Sequence, residues 1–196
     1  MRQYYLILIQ ISFILGACNS QTIEFDKKAV LLNEGAVNIM STNRDSALTL
    51  LNKATDIDSN YYIAFGNKVS IYASTGDYKQ AIVNSQQVLR IKPDLAEAVV
   101  FLGILYDKSG QIKEAKEQYN LAIRLFDKRL LVSDKNQKAN KINRVLGLLL
   151  VGEQTKGMEE IKKLQNEYPN DLDLKALNDF DKGKHIDELL PEKNAL

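Results

Sequence analysis

Val99-Val100-Phe101-Leu102-Gly103-Ile104-Leu105-Tyr106-Asp107-Lys108-Ser109-Gly110, followed by Ala115, Tyr119 and Ala122, is the stretch that decides the fold. Its landmarks recur along the chain. Tyr72, Gly76 and Ala81 return at one constant step as Tyr106, Gly110 and Ala115, and Ala81 follows Ala47 by the same step. Self-similarity at a period of about 34 residues belongs to stacked helix-turn-helix arrays, where each unit buries its apolar face only against a neighbour. Each residue type has a steric reason. Gly103 and Ala115 suit a crossing of two helices, where only small side chains permit close approach. Gly110 suits the end of the first helix, because a left-handed backbone favours a residue without Cβ. Tyr106, Tyr119 and Ala122 fill the space between one hairpin and the next.

The unit at 62–95 keeps Tyr72, Gly76, Ala81 and Pro93 but carries Val69 at the crossing and Ser85 at an aromatic position. Pro93 closes its second helix, and Asp94-x-x-Glu97 reads as a capping box for the next one. The unit at 28–61 matches at Gly35, Ala47, Leu51 and Ala54, with Asn38 and Thr42 in place of the Tyr and the turn Gly. A first unit is expected to match weakly, since one of its faces meets solvent. A later unit follows a shift. Gly152, counted from Gly110, and Pro169, counted from Pro93, overshoot whole multiples of the step by the same amount. One insertion at 130–137 accounts for both, with a unit at 138–171 behind it. Leu172, Leu174, Leu177 and Phe180 then predict a short capping helix, and the rest of 172–196 reads as a loose tail.

The motif Val99-x-x-Leu102-Gly103-x-x-Tyr106 … Ala115-x-x-x-Tyr119 resembles the tetratricopeptide pattern W-x2-L-G-x2-Y … A-x3-F, with Val99 for the Trp and Tyr119 for the Phe. The resemblance covers residues 28–171. It implies an all-α fold: a right-handed superhelix of antiparallel helix pairs, about four repeats plus a C-terminal capping helix. It also implies that the first helix of each pair lines a groove for protein or peptide partners. Carried onto this chain, the groove is lined by Leu32, Ala36, Ile39, Gly66, Ser70, Ala73, Val100, Ile104, Asp107 and Lys108, with Ile142, Leu146 and Leu149 from the last pair. The competing reading is that these apolar residues pack between helices, and it is stronger for the last three, because 145–151 is apolar all round. Family members that clamp a terminal carboxylate place Lys and Asn where this chain has Leu32 and Ala36. Its groove therefore favours an apolar segment or helix.

The chain begins Met1-Arg2-Gln3, then runs apolar from Tyr4 to Ala17, broken by Gln10 and Ser12. A membrane span needs about 20 apolar residues, more than this run supplies, so 1–17 reads as a signal peptide. Its end, Leu15-Gly16-Ala17-Cys18, resembles the lipobox of bacterial lipoproteins. That resemblance implies cleavage before Cys18, acylation of that residue, and a spacer over 18–27; the alternatives are an ordinary secretory signal or an uncleaved anchor. Asn19 instead of Asp at the next position favours the outer over the inner membrane. Asn19 to Lys27 spans at most roughly 30 Å when extended, which keeps the array near the bilayer.

Cleavage before Cys18 removes Arg2, one of the 26 Lys and Arg, and no acid, which balances the remaining bases against the 25 Asp and Glu. A neutral chain offers no global attraction to nucleic acid. With Cys18 the single cysteine, neither a disulfide framework nor a thiolate metal site is available. The lone His185 reads as a solvated residue of the tail. Asp56, Asp58 and Asn60 lack the later Gly and Glu of a calcium loop and read as helix capping. Glu159, Glu160, Lys162 and Lys163 read as charge pairs on a solvated helix face. No catalytic constellation, metal site or cofactor motif is expected.

These features lead to an expected non-enzymatic adaptor, lipid-anchored in the bacterial cell envelope facing the periplasm, and either pilotin-like or assembly-factor-like. The alternative is a dedicated inhibitor or immunity protein against one envelope toxin or enzyme, binding through its convex face or the inserted 130–137 segment.

Overall fold

Helices joined by tight turns make up the described residues, and among these there is no strand. The structure is a computed structural model and describes residues 24–132 and 136–190. The expected signal peptide, Cys18, part of the spacer, the middle of the insertion and the last six residues lie outside the described residues. The fold class is all-α, of the tetratricopeptide type.

The helices fall into two compact units. The first holds α1 (Lys27–Ile39), α2 (Arg44–Ile57), α3 (Tyr62–Ser74) and α4 (Tyr78–Ile91). The second holds α5 (Ala96–Lys108), α6 (Ile112–Val132), α7 (Gln137–Val151), α8 (Gln154–Glu167), α9 (Leu172–Ala176), a 3-10 turn at Leu177–Asp179 and α10 (Lys182–Leu189). Successive helices pair as α1 with α2, α3 with α4, α5 with α6 and α7 with α8.

Three of the turns share one design. Gly76, Gly110 and Gly152 have φ of 73°, 76° and 101°, the left-handed region where a Cβ is strained. Beyond each glycine the next amide reaches back five positions: Asp77 N to Tyr72 O at 2.9 Å, Gln111 N to Tyr106 O at 2.8 Å, Glu153 N to Leu148 O at 2.8 Å. This closure satisfies carbonyls that the helix end leaves open. The turn between α1 and α2 has no glycine, and Asn43 serves instead. Its Oδ1 accepts from Ser46 N at 3.0 Å and starts α2.

Close approach is selective. A Cβ on Gly103 would lie 2.6 Å from Tyr119 Cε1, so that glycine makes room for the ring rather than for Ala115. Tyr119, Ala115, Ala122 and Phe126 are fully buried on α6. A Cβ on Gly157 would meet Leu149 Cδ2 at 2.5 Å, which places α8 tightly on α7. Val145, Leu146, Leu148, Leu149 and Leu150 are buried, as the all-round apolar character of 145–151 requires.

Several local expectations are corrected. The insertion at 130–137 begins inside a helix: α6 runs for 21 residues against 14 in α4, so Leu130, Leu131 and Val132 prolong it. The Asp94–Glu97 capping box does not form, and Leu95 is the N-cap with no side-chain bond. Arg129 takes the Glu97 side chain instead, donating from Nη1 to Glu97 Oε1 at 2.6 Å, and its Nη2 donates to the main-chain carbonyl of Asp94 at 2.9 Å. A charge-assisted bond of that kind outcompetes a bond to a neutral amide. Asp58 does cap a helix, at the C-terminal end of α2, where its N–H donates to Ala54 O at 3.0 Å. Its Oδ1 accepts from Asn60 N at 3.0 Å and its Oδ2 from Asp26 N at 3.1 Å, holding the entry of α1 beside the exit of α2.

The tail is the largest departure. Beyond α9, residues 182–189 form α10, with Ile186 and Leu190 buried. Gly183 does not end the regular structure, because Asp181 caps the helix by accepting from Lys184 N at 2.7 Å. His185 is not solvated: its ring lies 5.2 Å from that of Phe180, and its Nε2 is buried without a partner.

Candidate protein-binding groove

In the first unit, Leu32, Ala36 and Ile39 stand at i, i+4 and i+7 on α1, and Gly66, Ser70 and Ala73 repeat that spacing on α3. Such spacing puts each trio on one face of its helix. Ala36, Gly66 and Ala73 are buried, Leu32 and Ile39 are half-buried, and Ser70 is exposed. The face thus has a floor of small residues with larger or polar side chains reaching solvent. Asn33 and Asn67, which sequence reasoning passed over, tie the two helices together: Asn67 Nδ2 donates to Asn33 Oδ1 at 2.7 Å. Their separation is one repeat period, so the signal was present as a polar residue recurring at a fixed repeat position. Burial, and then the Glu34 carboxylate, raise the Tyr61 phenol above its ordinary value.

In the second unit, Val100 and Ile104 are buried, with 3% and 0% exposure, so they belong to the packed interior in this structure. Ile142 is half-buried, and Leu146 and Leu149 are buried. Asp107 and Lys108, one helical turn further along α5, are engaged by α10. Lys182 Nζ pairs with Asp107 Oδ2 at 2.5 Å, and Lys108 Nζ with Asp187 Oδ1 at 2.6 Å. The Lys182 ammonium also lies 5.5 Å from the centre of the Tyr119 ring, whose hydroxyl donates to Asp107 Oδ2 at 3.3 Å. Burial and then the Asp107 carboxylate raise the Tyr119 phenol so far that it stays a neutral donor.

A second polar network braces the far pair. Arg144 on α7 donates to Asp127 on α6 and to Glu160 on α8. Glu160, read from sequence as part of a solvated charge face, is thus a half-buried partner of Arg144. Lys141 Nζ holds both oxygens of Glu167, at 2.8 Å and 2.9 Å.

Among the described residues, no group of three or more His, Cys, Asp or Glu could hold a metal ion. No helix among them is long and apolar enough to cross a membrane.

Residues 72–132 match the family model of the tetratricopeptide repeat. The match begins at Tyr72, which opens the echo, and ends with α6. The chain is 22% identical to anaphase-promoting complex subunit 3 of Schizosaccharomyces pombe across 84% of its own length, and it spans 25% of that relative. It resembles the solved structure of the MamA RS-1 ArsTM double mutant with a TM-score of 0.53, at 18% identity and with 80% of each chain covered. At that identity the likeness concerns the fold.

Proposed function

We propose that this chain is a tetratricopeptide adaptor that binds a protein partner and is anchored through Cys18 to a membrane of the bacterial cell envelope. The observation that carries the binding role is the α1–α3 face. Three small buried residues, Ala36, Gly66 and Ala73, sit among the accessible Leu32, Ile39 and Ser70, so a bound segment finds contact without side chains that must first move aside. Two sequence features support the anchor: the apolar run from Tyr4 to Ala17 and the lipobox-like Leu15-Gly16-Ala17-Cys18. Lipid attachment would raise the local concentration of the groove around envelope clients. Asn19 favours the outer membrane.

A photo-crosslinking residue at Ser70 in the native cell tests the binding role. Capture of one defined client supports it, and a silent probe at Ser70 with capture elsewhere removes the site. For the anchor, Cys18→Ala should abolish acyl labelling and release the protein from membranes. Unchanged retention would point to an uncleaved apolar anchor.

A second reading, a dedicated inhibitor of one envelope toxin or enzyme, is favoured by one observation. Leu131 and Val132, in the inserted segment at the end of α6, are 86% and 71% exposed. If that segment binds, Leu131→Asp abolishes partner capture and the Ser70 probe stays silent.

A further inference from the structure

The end of the array is closed by α9 and the 3-10 turn, both of which pack on α8. Leu174 and Leu177 are buried there, with 0% and 3% exposure. Helix α10 makes a different contact. It returns to α5, and its Lys108–Asp187 pair spans 79 residues of sequence. It lands on Asp107 and Lys108, which repeat spacing assigns to the groove face.

The attachment is slight. α10 has eight residues, far fewer than the roughly 12–15 at which an isolated helix becomes marginally stable. Gly183 in its first turn weakens it further. Ile186 and Leu190 are its buried apolar anchors, and Asp187 is 67% exposed at its side chain. Within α10 only Ile186 is buried, and in each ion pair the α10 partner reaches solvent, Asp187 at 67% and Lys182 at 31%; such a segment opens locally before the core does.

Its pattern is well matched to its seat. Lys182, Ile186 and Leu190 follow one another at four-residue steps, so they share a face, and Asp187 flanks it. On α5, Asp107 answers Lys182 and Lys108 answers Asp187. We infer that α10 is a built-in occupant of the α5 face, displaced by a partner helix carrying the same pattern of Lys, Ile four residues on, the adjoining Asp, and Leu at eight. The inference rests on the adaptor reading and adds to it the kind of partner recognised: a short amphipathic helix rather than an extended or acidic tail. An occupant carried on the same chain competes at the high effective concentration of a short tether. The free face is then available only for the fraction of time that α10 is undocked, and apparent affinity falls by that fraction.

The test uses the full chain and a labelled peptide of residues 180–193 as the probe. In Lys182→Glu/Ile186→Asp the chain's own helix is released, and the peptide should bind at least about tenfold tighter than to the wild type. Adding Asp107→Lys and Lys108→Asp should abolish that binding. Equal affinity for wild type and variant, or no binding to a variant that keeps its helical circular dichroism, overturns the inference. Hydrogen exchange on the wild type gives a reading that does not depend on any variant folding. The amides of His185 and Leu190 should exchange at least a hundredfold faster than those of α6, and equal protection would show a permanent structural helix. Client capture at Ser70 without peptide binding leaves the adaptor standing and sinks this inference. Peptide binding without capture does the reverse.

Discussion

Replacing Gly103 by alanine isolates the close approach on which the α5–α6 pair is built. The new Cβ would lie 2.6 Å and 2.8 Å from two carbons of the Tyr119 ring and 3.3 Å from Gln118 Cβ. Gly to Ala inside a helix normally gains about 1 kcal/mol. Overpacking a filled core costs about 1–3 kcal/mol. Here the obstacle is a rigid ring with 0% exposure, gripped by Asp107 at its hydroxyl and Lys182 on its face, so the cost belongs at the upper end. The net expectation is a loss of about 2 kcal/mol. Gly35→Ala is the matched control, because its Cβ would meet only Leu50 Cδ1, at an ordinary 3.5 Å. That variant should gain about 0.5–1 kcal/mol. Urea unfolding followed by circular dichroism at fixed pH reads both. A second measurement, Gly103→Ala in a Tyr119→Leu background, should show coupling, with the double variant less destabilised than the sum of the two singles. Gly103→Ala as stable as the wild type, or additive with Tyr119→Leu, would refute the reasoning, because the ring would then not be the obstacle.

Asn67→Ala should cost about 1–2 kcal/mol by removing the donor to Asn33, which is buried at 6% exposure, and Asn67→Asp should not restore it. Thermal unfolding in the Asn33→Ala background, where the loss should shrink, checks this. Arg144→Met should lower stability by about 1 kcal/mol by releasing Asp127 and Glu160 together, with a smaller effect in high salt, where exposed pairs are screened; urea unfolding at two ionic strengths reads the difference. Burial holds His185 below its ordinary value against the opposing charge of Glu188. The folded chain therefore binds that proton less well than the unfolded chain. Its contribution is complete above the unfolded value near 6.5 and is lost as pH falls from there through the depressed folded value. Hydrogen exchange of the Leu190 amide should accelerate between pH 7.5 and pH 5 beyond the intrinsic trend, and His185→Leu should remove the excess. An unchanged pH profile in His185→Leu would exclude the imidazole as the cause.

Much of the fold could be read directly from residues. Tyr72, Gly76 and Ala81 against Tyr106, Gly110 and Ala115 located two helix pairs, and Gly152 with Pro169 located a third despite the insertion. Backbone conformation at the turns follows from glycine alone, and spacing along a helix assigns a face. Local chemistry was less legible. Asp94 and Glu97 spell a capping box, yet Arg129, about a repeat away, takes the Glu97 carboxylate and the Asp94 main-chain carbonyl. A local motif states only what is available nearby, and a charged partner brought by folding can bind more strongly. Along the groove, period assigned Val100 and Ile104 to an open face, but their exposure depends on what packs over them.

By itself the sequence determined the period, the turns and the kind of residue at each repeat position, because these depend on sterics within about 34 residues of chain. Where residues 182–190 go was decided by tertiary structure alone. Their helix is too short to stand unaided. Its position comes from Asp107 and Lys108, distant in sequence, which supply charges complementary to Lys182 and Asp187. No local rule contains a contact across 79 residues; only the folded chain brings those two segments together.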